Sequence, residues 1–124
     1  MLVIDYITRG DDPMNFQEYQ RKARSFAIYP GKRTAHGFAY TALGLNGEAG
    51  EVAEHAKKIL RDDSGKISPE RKSHLKKELG DVLWYVSNCC SELGISLNDV
   101  AEQNVEKLSS RKKRGKITGQ GSHR

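Results

Sequence analysis

The chain has 124 residues, 36% of them hydrophobic and 30% charged, which fits one soluble globular domain. Its mean hydropathy is −0.70, and it has no run approaching the ~18 apolar residues of a membrane span, so no membrane-spanning helix is expected. The formal charge of +5 is a C-terminal property: from Lys107 onward there are seven basic residues and no acidic one, leaving −2 for the rest.

The opening MLVIDYITRG has no charged stretch followed by an apolar one, so no secretory signal is expected. The first predicted helix starts at Asn15, a good N-cap, and runs through Phe16, Tyr19, Ala23 and Phe26 until Tyr29-Pro30-Gly31 ends it. The second carries Phe38, Ala42, Leu45, Ala49, Val52, Ala56 and Ile59, whose alternating steps of four and three trace one helical face. Asp62-Asp63-Ser64-Gly65 reads as a turn. The third helix opens with Ser68 as N-cap and Pro69 at its first position. Its stripe is Leu75, Leu79, Val82, Val86, Cys89 and Leu93, and Gly94 closes it. In the fourth, Ser96 and Asp99 pair as a capping box, Ile95 can staple to Val100, and the pattern continues through Leu97, Asn104 and Leu108.

Short connections between long helices predict an all-α fold, a four-helix antiparallel bundle over residues 1–114, with a basic, glycine-rich tail at 115–124. Cys89 and Cys90 are adjacent and point about 100° apart on a helix, which opposes an intrachain bridge. They read as buried thiols in a reducing cytoplasm. Gly44, Gly47 and Gly50 in the second helix and Gly80 in the third are out of place. Each costs about 1 kcal/mol relative to alanine. Close approach of a second helix or a ligand is the usual reason; the alternative is a helix that begins only near Asn46.

The chemistry gathers in two acidic pairs. Glu48 and Glu51 lie three apart on the second helix, Glu78 and Asp81 three apart on the third, and each acid immediately precedes an apolar-stripe position. On antiparallel helices both pairs can converge on one rim of the shared core. Four such carboxylates raise one another's proton affinity unless a counter-charge intervenes. A hard divalent cation supplies it: Mg²⁺, with Mn²⁺ as a substitute, takes oxygen ligands and shares its shell with waters and phosphates. No histidine–cysteine cluster supports zinc, and the spacing is not that of the carboxylate–histidine di-iron bundles.

Around these pairs, Tyr85 and Asn88 continue the acidic face, and Trp84 could stack on a base or simply pack. His55, four after Glu51, reads as an outer partner of the carboxylates or as a surface histidine. Glu54, Lys57 and Lys58 are auxiliary candidates. Asn104, Lys107 and Arg111 form one cationic face on the fourth helix, suited to phosphate.

These words resemble a known family. Glu48-x-x-Glu51, a gap of 26 residues and Glu78-x-x-Asp81 are similar to the signature of the MazG-like, all-α nucleoside triphosphate pyrophosphohydrolases. So are Gly47–Glu54, Lys77–Tyr85 and Asn104-x-x-Lys107-Leu108-x-x-Arg111. The resemblance implies Mg²⁺ on Glu48, Glu51, Glu78 and Asp81, with Tyr85, Asn104, Lys107 and Arg111 on the nucleoside triphosphate substrate. It also implies a homodimer or homotetramer with sites across subunits. The implied reaction is in-line attack of water at the α-phosphorus, Glu48 or Glu51 accepting its proton, giving a nucleoside monophosphate and pyrophosphate. Two other classes stay open from the residues alone. One is a small nucleic-acid-binding protein acting through its basic tail, opposed by the −2 body; the other is a non-catalytic helical assembly.

Overall fold

The computed structural model describes residues 14–115, which form four helices and no strand. They are α1 (Phe16–Ser25), α2 (Ala35–Asp62), α3 (Pro69–Glu92) and α4 (Leu97–Lys113). The all-α expectation holds for these residues; the tail beyond residue 115 lies outside them.

Each helix starts where a side-chain oxygen can take an otherwise unpaired N–H. Asn15 accepts from the Glu18 amide at 2.8 Å, Ser68 from Arg71 at 3.0 Å and Ser96 from Asp99 at 3.2 Å. Thr34 caps α2, which therefore begins well before Asn46 and leaves Gly44, Gly47 and Gly50 inside the helix. Gly94, at φ +68°, closes α3 in the left-handed conformation expected of it. α1 stops at Ser25, short of the Tyr29-Pro30-Gly31 stop, because Tyr29 is drawn inward as part of the connection.

The pairs between α2 and α3 run in opposite order. Gly37 faces Glu92, Thr41 meets Cys89, Gly44 meets Tyr85 and His55 approaches Glu78. The two helices are thus an antiparallel hairpin. α1 lies antiparallel on the far end of α3, with Gln20 bonded to Ser91 and Arg24 to Asn88. α4 packs on α1 and α3.

A closed four-helix bundle does not result. Among the described residues α2 packs against α3 alone, so the apolar stripes are only partly covered. Among the stripe positions Ile59 is buried at 7% exposure, yet Leu79 and Leu93 remain 55% exposed; beside the α2 stripe, Leu43 is 74% and Leu60 75% exposed. The best-covered positions in the hairpin are instead small or polar: Thr41, Ser87 and Asn88 are at 0%. Of the two cysteines expected to be buried, Cys90 is and Cys89 is half-buried; burial pushes the Cys90 thiol above the usual value. No helix among the described residues is long and apolar enough to cross a membrane.

Candidate active site

The hairpin brings three of the four acids together. Glu48 from α2 and Glu78 and Asp81 from α3 each offer a carboxylate oxygen, all within 4.8 Å of one another. Partial burial, then the negative charges of Asp81, Glu78 and Glu51, then a hydrogen bond with Glu78, hold Glu48 above the usual carboxylate range. The donor set is all hard oxygen, and the like-charge crowding is of the kind a divalent cation removes, so the residues fit Mg²⁺. Glu51 is exposed and lies outside the trio, although its charge is felt at Glu48. Glu54 and Lys57 pair with each other at 2.8 Å.

Beside the carboxylates stands an aromatic wall, and one of the anomalous glycines makes room for it. A Cβ at Gly44 would sit 2.2 Å from the Tyr85 ring. Tyr85 therefore packs directly on the α2 backbone, which is the close approach the sequence called for. At Gly47, Gly50 and Gly80 an added Cβ would meet nothing within 4 Å. Trp84 meets Tyr85 edge-on at 5.0 Å and Tyr29 edge-on at 6.3 Å, and Tyr29 stacks on Tyr40 at 4.8 Å. Burial, Tyr40 and the nearby Glu48 and Asp81 charges push the Tyr85 hydroxyl above its usual value. Its ring thus borders the acidic cluster.

The wall is anchored by a residue the sequence reading missed. Glu92, in the last turn of α3, has a fully buried side chain. Its Oε2 accepts from Arg24 Nη1 at 2.7 Å and from the Tyr29 hydroxyl at 2.5 Å, and its Oε1 accepts from the Arg33 amide at 2.7 Å. Arg24 also donates to Tyr29 at 2.6 Å and to Asn88 at 3.2 Å. Burial alone would push Glu92 upward, but these donors hold it below the usual carboxylate range. The Tyr29 hydroxyl, by contrast, is pushed up to about 12, first by burial and then by Glu92. No spacing marks Glu92. The one available cue was an acid at a helix C-terminus, where the helix dipole disfavours it unless donors wait nearby.

The remaining candidates lie apart. Asn104 and Lys107 are exposed along an open groove of about 670 Å³ that Val100, Gln103 and Glu106 also line. Their helix makes no packing contact with α2 among the described residues. Arg111, on the last turn of α4, is enclosed at 4% exposure. His55 lies 3.9 Å from Glu78.

Residues 37–115 match the model of the MazG nucleotide pyrophosphohydrolase domain, a span holding both acidic pairs and the α4 face. The chain is 46% identical to the gene 37 protein of Mycobacterium phage L5 over 114 residues, which is 90% of this chain and the whole of that one. No solved structure matches it.

Proposed function

The chain belongs to the MazG nucleotide pyrophosphohydrolase family, and from that premise we propose that it hydrolyses nucleoside or deoxynucleoside triphosphates to the monophosphate and pyrophosphate with Mg²⁺. The observation that carries this reading is the convergence of Glu48, Glu78 and Asp81 on one point from two helices. Glu51, one turn from Glu48, completes the ligand set on the exposed side.

Bound Mg²⁺ would neutralise the triphosphate and lower the pKa of a water molecule. The protein's part is to hold the acids in register and to accept the water's proton at Glu48 or Glu51. Tyr85 borders the substrate on the aromatic side. The exposed Lys107 and Asn104 serve the departing phosphates.

In this reading those α4 residues come from a second copy of the chain. Support comes from what one copy leaves uncovered: α2 has one packing partner, and Leu43 and Leu60 are at least 74% exposed. Burying one leucine is worth roughly 1.5–3 kcal/mol, so covering several such side chains favours a dimer or a higher assembly. Mixing an inactive variant with an impaired one tests it. Glu78→Gln and Lys107→Ala should regain activity when unfolded and refolded together, because one intact site then forms across each mixed pair. Failure to regain any activity, with mixed pairs verified, would place all the groups in one chain.

A further inference from the structure

From the α2–α3 turn a chain of polar side chains leads to the acidic cluster. Asp63 accepts from Arg71 Nε at 3.1 Å, and Arg71 Nη2 lies 3.0 Å from the same oxygen. Arg71 Nη1 reaches back across the hairpin to His55 Nδ1 at 3.2 Å. A guanidinium only donates, so Nδ1 must accept, and the imidazole proton then sits on Nε2. Nε2 faces Glu78, 3.9 Å from Oε1. That is too long for a direct hydrogen bond and within reach of one bridging water. His74, with its ring 5.8 Å from that of His55, flanks this path. The side chains of His55 and Arg71 are only 15% and 18% exposed, so their own contact is sheltered from bulk solvent. In sequence His55 is four residues from Glu51, but the fold turns it to Glu78 on the neighbouring helix.

We propose that His55 is a positioning residue for the metal ligand Glu78: Asp63 orients Arg71, Arg71 fixes the histidine proton on Nε2, and that N–H, through one bridging water, holds Glu78 turned toward Glu48 and Asp81. This rests on the reading of Glu78 as a ligand. Outer partners of this kind typically change metal affinity by about 10- to 100-fold when removed. The contact here is long, so the lower end applies.

The test is a Mn²⁺ titration of the full-length protein followed by electron paramagnetic resonance, with circular dichroism confirming that each variant is folded. His55→Phe keeps a ring but has no N–H, and it should weaken Mn²⁺ binding about tenfold. His55→Gln, whose amide N–H can point the same way, should bind close to wild type; a purely structural role for the ring predicts the reverse order. Arg71→Met should weaken binding in the same direction as His55→Phe. Wild-type affinity in His55→Phe, with binding lost in Glu78→Gln, would overturn the proposal while leaving the metal site intact. Wild-type affinity in Glu78→Gln would overturn both.

Discussion

Replacing Glu92 by glutamine removes one charge from the join between α1, the connection at residues 26–34 and the end of α3 while preserving the size of the side chain. The carboxylate takes three donors on two oxygens: Arg24 and Tyr29 on one, the Arg33 amide on the other. Glutamine can present its single oxygen to one side only, so its NH₂ must face donors on the other. Arg24, 25% exposed, then loses its counter-charge beside a fully buried group. Breaking a buried pair from one side costs about 3–5 kcal/mol. Arg24 keeps some access to water, so about 3 kcal/mol is expected, a fall in Tm of roughly 12–20 °C for a domain of this size. Urea unfolding followed by far-UV circular dichroism measures it. A double-mutant cycle with Arg24→Met isolates the pair, since removing both partners should cost less than the sum of the single losses. A loss below about 1 kcal/mol in Glu92→Gln, or strictly additive losses in the cycle, would refute the clamp.

The same residue sets an acid limit. Its native carboxyl binds a proton less tightly than the unfolded chain does, so its stabilisation is present above the ordinary value of 4.5 and fades as pH falls below it. Wild type should therefore lose stability more steeply on acidification than Glu92→Gln, as paired urea titrations would show. Gly44→Ala sets a helix-propensity gain of about 1 kcal/mol against an overpacking cost of about 1–3 kcal/mol. The contact at 2.2 Å from Tyr85 makes the cost prevail. Tm should fall in the single variant and recover when Tyr85→Leu is added. Lys107→Ala should lower kcat/KM by roughly thirtyfold, the worth of one charged hydrogen bond at about 2 kcal/mol, and steady-state kinetics would reveal an unchanged value if Lys107 plays no part.

Three of the four helix starts were legible because capping is local chemistry: Asn15, Ser68 with Pro69, and Ser96 each act within three residues of themselves, whereas the Thr34 cap of α2 was not picked out. The acidic pairs were legible because a period of three or four fixes a face. Which neighbour a face meets was less so. His55 was read against Glu51 on its own helix and turned out to face Glu78. The stripes predicted core positions that one copy leaves exposed, such as Leu79, because periodicity reports that a face is apolar and not what covers it. Glu92, Arg24 and Tyr29 form a join across distant parts of the chain, and single residues brought together by tertiary folding carry no periodic signal.

The central claim is tested most directly by hydrolysis of a nucleoside triphosphate in ¹⁸O-labelled water with Mg²⁺, with both products analysed by mass spectrometry. The account predicts monophosphate and pyrophosphate in equal amounts, the label in the monophosphate, and no turnover in Asp81→Ala or after the metal is chelated. Orthophosphate as the first product, label in the pyrophosphate, or full activity in Asp81→Ala would contradict it.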